Sequence, residues 1–454
     1  MEDIKKAVEL QHAFFATGKT LNINYRKTAL EKLRNVIKSK RGEIVQALYQ
    51  DLGKSESETV MAELGMVYEE INFLLQNLRR LTKPQRVKST LAQFPAKCFT
   101  LASPYGCTLI MSPWNYPFQL TLCPLADSIA AGNCAIVKPS AYAPATAELI
   151  KNLIAEAFSP EYITVVTGGR AENTALLEQK YEMIFFTGGK LTGTLVAEKA
   201  ARTLTPAVLE LGGKSPCIVD IDADLPRAAR RIAFGKLLNA GQTCVAPDYL
   251  LVHEKIKASF LELLKEEFVR QSGENALENP DYPHIINAKH FERVKGLITP
   301  EKVIFGGDCD SETRKIQPTI LDNASFSDPA MQEEIFGPVF PVLTFSDFTK
   351  AKELIAKNPT PLALYYFGKQ NEKRALTEIS FGGGCVNDTI LHLATPFMGF
   401  GGVGESGMGA YHGERGFYAF SHVKSILKKG KFELSLRYAP YTEKKKRSLR
   451  RYLG

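Results

Sequence analysis

The chain reads as an α/β protein whose parallel sheets are covered on both faces by helices, and three observations predict it. From residue 107, short β-rich runs (CTLIMS, CAIVKPS, ITVVTGG, MIFFTGG, AVLELGG) alternate with stretches of helical length and pattern. Such alternation implies right-handed crossovers between parallel strands. A second block, from about 214 to 393, is again α/β in texture. Finally, 454 residues, 44% hydrophobic and 23% charged, exceed what one core accommodates, so two or three domains are expected.

In order along the chain, residues 25–82 read as two helices. Ser55-x-x-Glu58 has the form of a capping box, followed by Val60, Leu64, Val67, Ile71, Leu74 and Leu78 at helical spacing. The first α/β block places helices at 117–131, 142–157, 171–181 and 191–203. The second holds helices near 224–240 and 255–271, with strands near TILDNA, VFPVLTF and ALYYFG. A glycine-rich segment follows residue 394, and then a basic tail. Tyr105 to Val137 is nearly uncharged, but Pro113, Asn115, Pro117, Pro124 and Gly132 interrupt it. It reads as buried strands and turns, not as a membrane span. The charged start MEDIKKAVELQ lacks the apolar core of a secretory signal.

Eight cysteines include no C-x-x-C pair, and seven histidines no H-x-x-x-H spacing. No disulfide framework and no metal site are expected, and a reducing, cytoplasmic setting is. The formal net charge of +8 belongs to the C-terminal end, where Lys428 to Gly454 carries ten Lys or Arg against two Glu. A nucleic-acid binder of this size would carry basic charge across its body as well, so that partner is set aside. The tail EKKKRSLRRYLG is read as a solvated, partly disordered end, with weak contact to anionic surfaces as the competing reading.

NAGQTCVAPD sets Cys244 among Gly241, Gln242 and Thr243, whereas a thiol kept for packing sits among apolar neighbours. With an ordinary pKa of about 8.5 it needs activation to serve as a nucleophile. MIFFTGGKLTG is a strand, a glycine turn at Gly188 and Gly189, and a helix reaching Gly193. That arrangement lets a diphosphate reach N–H groups at a helix N-terminus, although a plain βα turn has the same look. A literal G-x-G-x-x-G at Gly399, Gly401 and Gly404 has no βαβ unit around it and is rejected as a cofactor loop. LGGKSP fails as a phosphate loop because Val208 stands where the first glycine is needed. Lys138 ends the strand CAIVK at the carboxyl edge, as a nucleotide ligand or as a solvated lysine. Glu210 ends an apolar strand before two glycines, as a buried partner for backbone amides or as a general base of raised pKa. In PWNYP two prolines stiffen the turn around Asn115, which serves either an oxyanion or the turn itself. QEEIFGP puts Glu334 and Phe336 in a loop that either recognises a hydroxyl and packs on a ring or is an exposed turn.

PWNYPFQL, AAGNCAIVKPS, LELGGKSP, NAGQTCVAPDY, MQEEIFGPV and PFMGFGGVGESGMGAYHG match, in order, the aldehyde dehydrogenase superfamily. From about residue 10 to 427 the chain resembles its class 3-like branch. The resemblance implies a Rossmann-like parallel-sheet NAD(P)-binding domain (1–85 and 100–208) and an α/β catalytic domain with a nucleophilic Cys (209–393). It also implies a small oligomerisation arm joined to the basic C-terminal tail (86–99 and 394–454). By position, Cys244 matches the nucleophile, Asn115 the side-chain half of the oxyanion hole, and Glu210 the base for hydrolysis. Lys138 matches the adenosine ribose ligand, with Ser140 beside it in the cofactor set, and Gly188 and Gly193 flank the diphosphate. Glu334 matches the nicotinamide ribose ligand and Phe336 the residue packing near that ring. Tyr116, Phe234 and Asn387 are assigned to the substrate pocket. The implied protein is a homodimer that oxidises a small-molecule aldehyde with NAD or NADP; some class 3-like relatives end in a hydrophobic membrane anchor, but the tail EKKKRSLRRYLG here implies none.

Two departures matter. Ala141 stands where the family often has a glutamate for the adenosine hydroxyls, so NADP is expected to be accepted at least comparably to NAD. Gly189 and Thr192 replace the Ser and Val common in the glycine turn, where Lys190 adds positive charge. Two other classes compete: an acylating relative using CoA or phosphate, and a Cys-dependent hydrolase. Glu210 argues against the first, and the lack of a recognisable histidine partner against the second.

Overall fold

The computed structural model describes residues 2–433 and 435–453. A six-stranded sheet runs in the order Gly407–Met408, Ala207–Glu210, Met183–Thr187, Cys107–Met111, Cys134–Lys138, Ile163–Val165. Its strands are parallel except Gly407–Met408 at one edge. Cys107–Met111, Cys134–Lys138 and Met183–Thr187 are buried along their whole length, as expected of parallel strands covered on both faces. A seven-stranded sheet follows: Val303–Phe305, Thr319–Leu321, Val339–Phe345, Tyr249–His253, Pro216–Val219, Ala363–Phe367, Gly383–Val386. Only Val303–Phe305 is antiparallel to its neighbour.

The link between the sheets positions the site. Glu210 ends a strand of the first sheet and Pro216 begins one of the second, paired with Tyr249. So short a connection brings the carboxyl edge of one sheet to the amino edge of the other. Register does the rest on the first sheet: Met111 lies beside Lys138, and Thr187 beside Glu210.

The N-terminal region holds more helix than the two expected over 25–82. Glu2–Ala16 precedes, then Ile23–Ser39 and Arg41–Leu52 flank a break at Lys40 made without glycine or proline, which leaves no mark in the sequence. Ser55 caps as expected, its Oγ accepting the Glu58 N–H at 3.3 Å. The reciprocal half of the box does not form, because Glu58 Oε1 accepts the Asn239 N–H at 2.9 Å. One wide π turn, Val60–Leu64, then precedes Gly65–Thr82. The helix expected near 224–240 is Leu225–Leu237, stopped because Asn239, Ala240 and Gly241 are left-handed at φ 53°, 51° and 73°.

Gln85–Val87, Ala96–Pro104 and Ser421–Lys429 form a separate antiparallel three-stranded sheet. In the tail, Glu443–Leu453 is a helix whose side chains are mostly exposed. Among the described residues no helix is long and apolar enough to cross a membrane.

Candidate active site

Cys244 lies on the short stretch between the left-handed turn 239–241 and the strand Tyr249–His253. Three successive left-handed residues, two of them not glycine, are strained and persist only where the surroundings over-determine them. Here they do. Asn239 Nδ2 donates to Asn115 O at 2.8 Å and to Gln242 O at 3.1 Å. Gln242 Nε2 donates to Asn239 O and His284 O, and its Oε1 accepts the Ile286 N–H at 3.0 Å. A Cβ on Gly241 would meet Gly337 O at 2.4 Å, so the turn also abuts the EEIFGP loop.

The PWNYP turn is stitched to the same stretch. Asn115 Nδ2 donates to Gln242 O at 3.0 Å, and the Tyr116 and Thr243 hydroxyls bond at 2.7 Å. Both residues are buried. Tyr116 therefore spends its hydroxyl on the thiol loop.

Burial pushes the Cys244 thiol up, and the Glu334 and Glu210 carboxylates push it further, while its own N–H and that of Val245 pull it back. Glu210 is 2% exposed and neither of its oxygens has a hydrogen-bond partner among the described residues. Its carboxyl is raised well above the usual range by burial alone. The side chain accepts no backbone amide, one of the two roles open to it from sequence. Among the described residues no histidine hydrogen-bonds Cys244, and no cluster of three His, Cys, Asp or Glu is placed to hold a metal.

Glu334 is raised to about 8 by burial and then by Asp248, against the pull of the Gly213 N–H and Lys214. Its Oε1 has no partner, and its other oxygen lies where a Cβ on Gly212 would sit. The loop is held from beneath by a buried pair missed in the sequence. Lys214 Nζ bonds Asp248 and donates to Ala330 O and Glu333 O, and Asp248 Oδ1 accepts the Ile335 N–H at 2.9 Å. Phe336 has φ 50° and meets Trp114 edge-on, with ring centroids 5.2 Å apart.

At the carboxyl edge of the first sheet Lys138 is 3% exposed, and its Nζ donates to Pro139 O at 2.8 Å. It is not a solvated lysine. Ser140 Oγ accepts the Tyr142 N–H at 3.2 Å. A Cβ on Gly188 would strike Phe186, and one on Gly193 would strike Leu211. The helix Lys190–Arg202 has no side-chain cap and Gly189 faces open space, so its N-terminal N–H groups are free for an anion. Lys190 itself is exposed and paired with Glu405 at 2.8 Å. The uncapped helix, Lys138 and the orphaned Glu334 oxygen together fit a dinucleotide.

Both ends of the Asn387 amide bond the Gly368 backbone, at 3.0 and 3.2 Å. Phe234 is half-buried on Leu225–Leu237.

Two α/β sheets meeting around one half-buried thiol, two carboxylates and an uncapped nucleotide edge define an NAD(P)-linked oxidoreductase of aldehydes. The aldehyde dehydrogenase family model matches residues 1–426, and the chain belongs to the aldehyde dehydrogenase family. It is 44% identical over 437 residues to the 4,4'-diaponeurosporen-aldehyde dehydrogenase of Staphylococcus aureus, covering 95% of each chain. It is 42% identical over 431 residues to the dimeric NADP-preferring aldehyde dehydrogenase of Rattus norvegicus, covering 94% of this chain and 95% of that one. The solved structure of the substrate-bound state of Staphylococcus aureus AldH superposes with TM-score 0.97 at 42% identity, covering 99% of both chains. The chain oxidises aldehydes to carboxylic acids, with NAD(P) as electron acceptor.

Proposed function

We propose that Cys244 is the nucleophile, Asn115 the side-chain oxyanion donor and Glu210 the hydrolytic base. The observation that carries this is the stitching of Asn115 and Tyr116 onto Gln242 and Thr243, with unpartnered Glu210 beside the thiol they flank. The Cys244 thiol gives its proton to solvent water, and the thiolate sulfur adds to the aldehyde carbonyl carbon as the C=O π electrons move to oxygen, giving a thiohemiacetal whose oxyanion faces the Asn115 amide. NAD(P), when bound, supplies the hydride acceptor. Loss of hydride leaves a thioester at Cys244. Glu210, ionised, takes a proton from water, whose oxygen attacks the thioester and frees acid and thiol. Lys138, Ser140, Gly188, Gly193, Glu334 and Phe336 would hold the dinucleotide, the first sheet carrying it and the second presenting the thiol. In a kinetic test, Cys244→Ala abolishes dehydrogenation and Asn115→Ala costs about 10²–10³ in kcat. Near-parental turnover in either variant contradicts the assignment.

The substrate is apolar in this reading. Leu391, Phe397 (82% exposed) and Met398 project from a segment whose His392 packs on Tyr365, and the Tyr365 hydroxyl bonds Val245 O. A relative named for 4,4'-diaponeurosporen-aldehyde fits that rim. Rising kcat/KM with aldehyde chain length supports it, and a preference for short polar aldehydes opposes it. The three-stranded arm would join two protomers in a homodimer, and one relative is named dimeric. The eight free thiols suit the reducing cytoplasm.

A further inference from the structure

Beneath the PWNYP turn lies an ion pair that neither the reaction nor the cofactor accounts for. Lys54 and Glu63 are both 0% exposed, with Nζ 2.6 Å from Glu63 Oε1. Lys54 Nζ also donates to Asn115 O at 2.8 Å and lies 3.8 Å from the centroid of the Tyr116 ring. Its three protons thus face a carboxylate, a carbonyl and a π face. Glu63 uses its second oxygen to accept the Gln119 N–H at 2.7 Å. The pair therefore grips the turn in its middle, at the Asn115 carbonyl, and at its end, where the helix Gln119–Ala131 begins. Glu63 reaches it because the π turn Val60–Leu64 inserts one extra residue into the helix. Burying two charges is costly, and a pair of apolar residues could fill the same space with comparable stability. What an apolar pair could not do is hold a carbonyl at fixed distance from the residue whose amide must meet the oxyanion.

We propose that Lys54 and Glu63 are positioning residues for the oxyanion site, aiming the Asn115 carboxamide by fixing its backbone. The inference rests on Asn115 being the oxyanion donor. A displacement of about an ångström at such a donor costs on the order of a hundredfold in rate.

The test is a double-mutant cycle on the full-length enzyme, with NAD(P) affinity and Cys244 alkylation rate as controls. Lys54→Met with Glu63→Gln removes both charges yet keeps an acceptor for the Gln119 N–H. In the parent this double change lowers kcat ten- to a hundredfold, with cofactor affinity and alkylation rate within twofold. Combined with Asn115→Ala it lowers kcat by less than a further twofold, because the donor it aims is already gone. Should the double change impair folding, Glu63→Gln alone gives a smaller loss that must vanish in the same background. An unchanged kcat in the parent, or an equal loss with and without Asn115, overturns the proposal. If Asn115→Ala alone leaves kcat intact, it is the oxyanion assignment that fails.

Discussion

At the scale of single residues the site is a set of carboxyl groups held away from their ordinary pKa by burial. Glu334 is raised to about 8, against about 4.3 in an unfolded chain. Between those values the folded chain holds a proton the unfolded chain has lost, so this group makes stability fall as pH rises through the window. Thermal melts without cofactor test it. Glu334→Gln matches the parent near pH 4.5 and becomes progressively more stable than it toward pH 8, and a gap independent of pH contradicts the account. The same substitution weakens cofactor binding if Glu334 holds the ribose. The sequence marked Glu210, Glu334 and Cys244 because each stands in a short distinctive motif. It did not mark Lys54, Glu63, Lys214 or Asp248 as parts of one site. Their partners lie as far off as Asn115 for Lys54 and Glu333 for Lys214, distances along the chain that no local pattern spans.

At the scale of elements, the strands and crossover helices of the first sheet were legible because period and length agreed with burial on both faces. The N-terminal region was legible as helix, but its breaks were not, since the break at Lys40 and the π turn at Val60–Leu64 are made by packing and leave the apolar period almost intact. The left-handed turn at 239–241 was likewise missed, because Ala240 in its middle does not announce a left-handed backbone even though Asn239 and Gly241 tolerate one. Its geometry makes a prediction. Gly241→Ala places a methyl 2.4 Å from Gly337 O at φ 73°, so the thiol loop must move. The expected outcome is a lowered Tm together with a changed rate of Cys244 alkylation, and a variant identical to the parent in both contradicts the account. Gly193→Ala, which strikes Leu211, is expected to raise the KM for NAD(P) more than it lowers kcat.

At the scale of the whole molecule, the basic charge and the chemistry are separate. Among the described residues, the side chains of the mostly exposed helix Glu443–Leu453 bond neighbours in the tail, so removing residues 443–454 is expected to leave kcat unchanged. A large loss of turnover would mean the tail serves the site. On Ser421–Lys429, Val423, Ile426 and Leu427 are exposed. Replacing all three with Asp is expected to yield monomers by size-exclusion chromatography if this arm joins the protomers. Ala141 and buried Lys138 together predict kcat/KM for NADP at least comparable to that for NAD, and a hundredfold preference for NAD would contradict this. The account as a whole depends on an acyl group resting on one sulfur until Glu210 activates water. Its most direct measurement is rapid mixing of Glu210→Gln with aldehyde and NAD(P), followed by mass analysis of the Cys244 peptide. One NAD(P)H per active site, then arrest, with the acyl mass on Cys244, is the predicted result. Sustained turnover, or a burst with no adduct on that peptide, would contradict it.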